Sequence, residues 1–260
     1  MRALFQLRRI RRPYSLLARH YDEALGRENF CRTRRAFERI ARELDLHFSS
    51  AADVGCGTGL FARYLSQRWR VPVFAVDRSP DMLRIAQKIC PGAAVCLLQQ
   101  DIRRLRLPRP VDLITANFDT VNHLLCKSDL REAFGSIAGN LNPGGHFFFD
   151  AITPCSPLPS SRTVVLRHPL RSGEVEQHLR WEPRSRSIFV RIVRRHSRFL
   201  PPSVELHRER PYSPHEIAST LLNAGFRIRV VLDARTLRSA TTCPPRLIIL
   251  AQKRMSKPAI

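Results

Sequence analysis

Short apolar runs and helical stretches alternate along most of this sequence, and this alternation restricts the fold more than any other feature. The apolar runs lie at residues 51–54, 73–76, 94–98, 111–116 and 146–149. The stretches between them, at residues 60–68, 80–89 and 129–140, have the spacing of helices. Strands that alternate with helices in this way predict a parallel sheet covered on both faces. Sheets of this kind bind their ligands at the carboxyl ends of the strands.

A helical cap is predicted before this sheet, and an antiparallel flap is predicted within it. Residues 14–25 and 29–45 have helical spacing. After a loop at residues 153–161, strand-like stretches follow at residues 163–167, 174–181, 188–198 and 204–208. A helix and strand at residues 213–232 and a last strand at 247–251 then return to the first pattern. We expect the flap over the carboxyl ends of the strands, because the chain leaves the sheet at that edge.

The predicted organisation therefore has four regions. Residues 1–45 form a basic tail and a helical cap, and residues 46–152 form an α/β core. Residues 153–210 form the flap, which we interpret as a lid over the substrate, and residues 211–260 return to the core.

The sequence does not favour a membrane protein, a secreted protein, a disulfide-rich protein or a zinc-binding protein. No stretch approaches the roughly 18 apolar residues that a membrane span needs. The first twelve residues lack a continuous apolar region, although their arginines leave a mitochondrial presequence open as an alternative. The seven cysteines form no Cys-x-x-Cys pair, and His20, His123 and His215 lack the spacing of a metal site. We expect a cytoplasmic protein, monomeric or homodimeric, without a disulfide framework and without a bound metal.

The net charge of +22 permits two interpretations. Residues 151–260 carry 20 basic and 7 acidic side chains, which favours an anionic partner such as nucleic acid. However, 40 of the 44 basic residues are arginines, a ratio that GC-rich coding also produces.

A glycine-rich turn is the most specific local signal. The segment at residues 52–59, Ala-Asp-Val-Gly-Cys-Gly-Thr-Gly, follows a predicted strand and opens a predicted helix. Gly55, Gly57 and Gly59 allow a tight turn and a close approach of the backbone to a ligand. The spacing differs from the dinucleotide fingerprint and from the P-loop. With Asp53 two positions before the turn, it favours a nucleoside ligand that has no pyrophosphate.

Carboxylates also end the next two predicted strands. Asp77 can accept hydrogen bonds from both hydroxyls of a ribose. Asp101 can accept one from an adenine amino group while Ile102 packs on the ring, and Met82 opens the helix between these strands.

These motifs together resemble those of class I S-adenosylmethionine (SAM)-dependent methyltransferases. The matching segments are residues 53–59, Asp77, residues 101–102, residues 112–120 and the Leu-Asn-Pro-Gly-Gly run within residues 141–150. The resemblance covers residues 13–151 well and 211–252 loosely. It implies SAM as the cofactor and a doubly wound, seven-stranded Rossmann-like sheet whose last strand is antiparallel. Asn117 belongs to the matching fourth-strand segment and is included among the expected cofactor residues.

The segment Asn122-His123-Leu124 is similar to one in small-molecule N-methyltransferases of the glycine and amino-sugar types. In those enzymes the histidine faces the substrate amine, so the resemblance assigns His123 to orienting the acceptor or taking its proton. It also assigns Tyr14 and Tyr21 to the cap over the cofactor.

Three flap residues are candidates for substrate binding. Arg180 and Arg191 can bind a carboxylate or phosphate, and Trp181 can pack on the substrate. Cys155 stands in a Pro-Cys pair that resembles the nucleophile motif of RNA cytosine-C5 methyltransferases. That motif follows the fourth strand, whereas this pair follows the fifth, so Cys155 is not expected to act as a nucleophile.

The resulting functional hypothesis is a SAM-dependent methyltransferase that methylates N or O of a small molecule by direct in-line displacement. Two alternatives remain open at this level: an RNA or other macromolecular methyltransferase that uses the basic C-terminal third, and a regulatory protein that binds SAM without catalysis.

Overall fold

The computed structural model describes residues 10–156, 158, 162–195 and 202–255. Within these residues the strands are β1 (Ile10–Arg11), β2 (Ala51–Val54), β3 (Val73–Asp77), β4 (Val95–Gln99), β5 (Val111–Ala116), β6 (Leu141–Ile152), β7 (Val164–Leu170), β8 (Gly173–Glu182), β9 (Ser187–Arg195), β10 (Ser203–Glu209), β11 (Phe226–Asp233) and β12 (Arg246–Lys253). The helices are α1 (Arg27–Glu43), α2 (Leu60–Trp69), α3 (Pro80–Ile89), α4 (Lys127–Gly139) and α5 (Pro214–Asn223).

Seven strands form the central sheet, in the order β11-β12-β6-β5-β2-β3-β4. The pairs from β6 to β4 are parallel, whereas β12 is antiparallel to both of its neighbours. This confirms the predicted doubly wound sheet with an antiparallel last strand.

Both faces of the sheet are buried, which explains the continuous apolar runs. Phe147 and Phe149 belong to the apolar cluster that includes α4 and α5. Phe148, between them, belongs to the cluster that includes α1 and α2. All three rings are fully buried, so strand β6 forms the centre of the core.

The cap differs from its prediction. Residues 14–20 are turns rather than part of a helix, and Tyr14 has a left-handed backbone with φ of 65°. Helical backbone begins at Tyr21 and continues through a π-helical segment (Asp22–Gly26) into α1. The apolar spacing at residues 14–25 arises because Leu17 packs under the flap, not because the segment forms a regular helix.

Strands β7 to β10 form the predicted antiparallel flap, and β1 pairs in parallel with β10. Its inner face carries buried apolar side chains, including Val175, Ile188 and Ile192, that pack against Leu17 and Tyr14 of the cap. The flap thus covers the cap, on the side where the core strands have their carboxyl ends. The boundaries of the four regions remain a prediction.

Cys155 and Cys243 form a disulfide, which corrects the expectation that none is present. The two cysteines are 88 residues apart in sequence, so their pairing was not visible in any local spacing. The bond joins the loop after β6 to the loop before β12. None of the helices in the described part of the chain is long and apolar enough to cross a membrane.

Candidate cofactor and active site

A cavity of about 230 Å³ lies at the carboxyl ends of the first four core strands, beneath the cap. Its wall combines the glycine-rich turn, the residues that follow β3, β4 and β5, and the two cap tyrosines. The expected residues on this wall are Tyr14, Tyr21, Gly55, Gly57, Asp77, Met82, Asp101, Ile102 and His123. Asp53, Gly59, Asn117, Arg180, Trp181 and Arg191 do not line it.

The glycine-rich turn has left-handed backbone at Gly55, Gly57 and Gly59, with φ of 69°, 54° and 85°. A Cβ atom on Gly55 would lie 2.3 Å from Oγ1 of Thr120, so no side chain fits there. A Cβ atom on Gly57 would meet no atom within 4 Å, because this residue faces the cavity. The turn therefore packs tightly against the protein at Gly55, whereas at Gly57 it leaves space for a ligand.

Asp77 ends strand β3 and lies on the cavity wall. Its carboxylate accepts hydrogen bonds from the backbone N–H groups of Gly57 (2.9 Å) and Ser79 (2.8 Å). Burial raises the pKa of Asp77, and these two hydrogen bonds oppose that effect. The same contacts hold the carboxylate beside the open glycine, where a ligand hydroxyl can reach it.

Asp53 lies behind the turn rather than on the cavity wall. It is 2% exposed and accepts a hydrogen bond of 2.6 Å from the hydroxyl of Thr115. Burial raises the pKa of Asp53 to about 7. The carboxylate therefore supports the turn from inside the sheet.

The wall at the end of β4 is more polar than the sequence indicated. Asp101 accepts hydrogen bonds from Nε (3.0 Å) and Nη2 (2.7 Å) of Arg103, and this pairing lowers its pKa. Arg103 also donates to Asp129, 3.2 Å away. Ile102 and the buried Met82 supply the apolar part of the same wall, which suits the faces of a planar ring.

Asn117 is 2% exposed, and both polar atoms of its side chain lack a partner among the described residues. Its backbone carbonyl accepts a 2.7 Å hydrogen bond from the hydroxyl of Thr120. This contact orders the loop that follows β5.

Tyr14 and His123 form a hydrogen-bonded pair on the cavity wall, with 2.7 Å between the phenol oxygen and Nε2. Burial, followed by the proximity of His207, lowers the pKa of His123 to about 4, and the ring also hydrogen-bonds the backbone of Arg208. Burial raises the pKa of Tyr14. At neutral pH a neutral tyrosine therefore donates its hydroxyl hydrogen to a neutral imidazole.

Tyr21 lies beside this pair, with its ring centroid 6.3 Å from that of Tyr14. The next residue, Asp22, accepts a 2.6 Å hydrogen bond from the hydroxyl of Thr58, within the glycine-rich turn. The cap is thus tied directly to that turn. The sequence pair Tyr21-Asp22 was noticed as a motif, but this contact was not predicted.

Three acidic residues near the tyrosines were also missed. Asp119 and Asp150 share the guanidinium of Arg246. Burial and the charge of Asp119 raise the pKa of Glu209, on the last residue of β10, to about 8. Asp119 follows β5, Asp150 lies near the end of β6 and Glu209 ends β10, and no local spacing joins these positions.

The three predicted substrate residues lie elsewhere on the flap. Cross-strand pairing places Arg180 opposite Phe189 and His178 opposite Arg191, on the outer face of the sheet. Arg180 and Arg191 line a groove there together with Phe189. Trp181 alternates to the inner face and packs in the cluster under the flap. The placement of the two arginines does not agree with a role beside the cofactor cavity.

The remaining sequence candidates have no catalytic geometry. Cys155 is held in the disulfide with Cys243. Among the described residues no cluster of histidine, cysteine or carboxylate side chains could hold a metal ion.

Comparison with known proteins gives an independent result. A family described as methyltransferase domain matches residues 51–145, which include the glycine-rich turn and strands β2 to β5.

Two curated relatives from Streptomyces have similar sequences. A dTDP-3-amino-3,4,6-trideoxy-alpha-D-glucopyranose N,N-dimethyltransferase of S. venezuelae is 35% identical over 37% of this chain and 40% of the relative. A dTDP-3-amino-3,6-dideoxy-alpha-D-glucopyranose N,N-dimethyltransferase of S. fradiae is 33% identical over 48% of this chain and 53% of the relative. The match thus spans about half or less of these relatives.

The fold has a wider match. The crystal structure of an S-adenosylmethionine-dependent methyltransferase from Clostridium acetobutylicum superposes with a TM-score of 0.76 at 23% identity. The superposition covers 93% of this chain and 99% of that one, so it includes the cap and the flap. Residues 51–145 therefore match a methyltransferase domain, and the fold of the chain is that of a solved S-adenosylmethionine-dependent methyltransferase.

Proposed function

We propose that the protein transfers the methyl group of SAM to an amino group of a small molecule. The observation that carries this proposal is the Tyr14–His123 pair on the wall of the cofactor cavity. The names of the two Streptomyces relatives support an amino group on a sugar as the acceptor. Methylation at oxygen is the alternative for the same site.

The chain's own residues fit the cofactor. Gly57 leaves room for a ligand beside the backbone, and the Asp77 carboxylate adjoins that space and suits the hydroxyls of a ribose. Ile102 and Met82 would contact the adenine ring. When bound, SAM supplies a methyl group on a positively charged sulfur, which is already activated for displacement.

The protein's contribution to such a reaction is alignment and exclusion of water. His123 has a pKa of about 4, so it does not retain a proton at neutral pH. It therefore does not store the acceptor's proton. With Nε2 bonded to Tyr14 and the other ring nitrogen bonded to the backbone of Arg208, it holds the Tyr14 hydroxyl, whose oxygen can still accept a hydrogen bond from the acceptor amine. Tyr14 fixes the direction of the imidazole, because its hydroxyl hydrogen is directed to Nε2.

The test is production of S-adenosylhomocysteine from SAM with a panel of amino sugars, amino acids and the corresponding hydroxy compounds. Turnover should require an amine and should fall about 100-fold in Tyr14→Phe and His123→Asn, because each variant removes one partner of the orienting pair. His178→Asn, on the outer face of the flap, is the matched control and should retain full turnover. A wild-type protein that binds SAM but methylates nothing in the panel would contradict the proposal and favour a regulatory role.

A further inference from the structure

Glu205, in strand β10 of the flap, is completely buried. Its carboxylate accepts hydrogen bonds from the backbone N–H groups of Tyr14 and Leu17, each at 3.1 Å, and from that of Leu16. One side chain of the flap therefore accepts hydrogen bonds from three backbone N–H groups within residues 14–17 of the cap, about 190 residues earlier in the sequence.

Backbone N–H groups balance the charge of this carboxylate rather than a guanidinium. Among the described residues, no arginine or lysine pairs with it; the side chains within hydrogen-bond distance are His207, 3.2 Å away on the same strand, and Ser15, 3.5 Å away. N–H groups that converge on a carboxylate form strong hydrogen bonds, and their dipoles stabilise the negative charge. The conformation of residues 14–17 therefore depends on an acceptor at this position.

The turn that Glu205 holds is the one that carries Tyr14. Tyr14 has a left-handed backbone, which an ordinary side chain adopts only under external constraint. From this backbone its hydroxyl reaches His123 in the core, and His123 in turn hydrogen-bonds the backbone of Arg208, three residues beyond Glu205. His207 also packs edge-on against the Tyr14 ring, with centroids 4.6 Å apart. The flap, the cap and the core thus form a closed ring of contacts around the phenol.

We propose that Glu205 is a positioning residue that fixes Tyr14 against His123 and thereby aligns the acceptor side of the cavity. This inference rests on the proposed function for its effect on turnover, but the conformational effect is independent of it. The cofactor side should be largely unaffected, because Asp77, Gly57 and Met82 line the cavity from the core, whereas Glu205 does not line it.

The test uses Glu205→Gln in the full chain, since the amide has the same shape but keeps only one acceptor oxygen and places an NH2 donor where the other oxygen accepted. Hydrogen exchange of the peptide that contains residues 14–17 should accelerate, because at least one of its N–H groups loses its acceptor. The affinity for SAM should change by no more than about threefold, whereas kcat should fall about tenfold or more. Glu174→Gln, on the outer face of the flap, is the matched control and should behave as wild type.

A double-mutant cycle separates positioning from general support of the fold. If Glu205 acts through Tyr14, Glu205→Gln should cause no further loss of kcat in the Tyr14→Phe background. Losses that multiply, or unchanged exchange at residues 14–17, would overturn the proposal. If Glu205→Gln does not fold, the same measurements are made on Glu205→Asp, which keeps the carboxylate on a shorter side chain.

The proposed function and the proposed role of Glu205 would fail with different experimental results. A wild-type protein without turnover on any amine would contradict that function alone. Exchange at residues 14–17 and the ¹⁵N chemical shift of His123 Nε2, in wild type and Glu205→Gln, would then decide the positioning role. An unchanged value of either would overturn it.

Discussion

At the scale of single residues, the site is built from groups whose ordinary ionisation is suppressed. His123, Tyr14 and Asp53 are all enclosed, and burial shifts the pKa of each in the direction that favours the neutral form. His123 and Tyr14 make their part of the cavity wall uncharged at neutral pH, whereas Asp77 and Asp101 lie on another part of the same wall.

The pKa of His123 predicts a specific dependence of stability on pH. Burial and His207 lower this pKa to about 4, whereas the unfolded chain has the ordinary value near 6.5. Between pH 4 and pH 6.5, His123 binds more protons in the unfolded state than in the folded state. The stability that depends on a neutral His123 is therefore fully present above pH 6.5 and is lost as the pH falls to 4. Its size is on the order of 3 kcal/mol.

Urea unfolding of wild type and His123→Asn between pH 7.5 and 4 measures this contribution. The wild type should lose more stability than the variant over this range, by a difference of that order. Equal losses in the two proteins would show that His123 is accessible and titrates normally.

The glycine-rich turn makes a second prediction at this scale. Gly55→Ala should destabilise the protein without any ligand, because its Cβ would overlap Thr120. Gly57→Ala should cost about 1 kcal/mol of stability from its left-handed backbone but should weaken SAM binding strongly, since its Cβ enters the cavity. Thermal unfolding and calorimetric titration of both variants measure the two effects. A Gly57→Ala protein with normal SAM affinity would place the cofactor elsewhere.

The residues that could be predicted from the sequence are those with a local signature. Gly55, Gly57 and Asp77 stand at the ends of strands with a fixed spacing, and the structure places all three on the cavity wall. Glu205 could not be predicted, because its partners are backbone N–H groups distant in sequence and carry no motif. The disulfide escaped prediction for the same reason: its cysteines come together through the fold alone.

At the scale of elements, the flap shows what strand patterns can and cannot establish. Three or four strand-like stretches were predicted there, with alternation of apolar residues at 188–192, and strands β7 to β10 are present with small changes in their bounds. Residues 196–198 of the third predicted stretch lie outside the described residues. Which face of each strand turns inward depends on the register between strands, which the sequence does not specify. That is why Arg180 and Arg191 were assigned to the substrate but lie on the outer face.

Their placement predicts the behaviour of the double variant Arg180→Ala, Arg191→Ala. Both SAM affinity and methyl transfer to a small amine should remain within about twofold of wild type, since neither side chain lines the cavity. Binding titrations and turnover at two salt concentrations measure this. A large loss of turnover with intact SAM affinity would show that the outer groove takes part in acceptor binding, and a loss that grows with salt would indicate an anionic acceptor.

At the scale of the whole molecule, the central sheet was the most predictable part. Its parallel strands follow from the alternation of strands and helices, and its two buried faces explain why the strands are continuously apolar. The doubly wound arrangement of seven strands was implied by the family resemblance. The cap was less predictable, because residues 14–20 take their conformation from the flap rather than from their own helical spacing.

Calorimetric titration with SAM measures whether the cofactor occupies the cavity at the ends of strands β2 to β5, on which the proposed roles of all the site residues depend. Wild type should bind one SAM per chain, and Asp77→Asn should bind it about tenfold or more weakly, since an amide cannot accept hydrogen bonds from both ribose hydroxyls as a carboxylate does. Asp45→Asn, an exposed residue after α1, is the control and should bind as wild type. Equal SAM affinity in wild type and a folded Asp77→Asn, or no binding by the wild type, would contradict the assignment of this cavity as the SAM site.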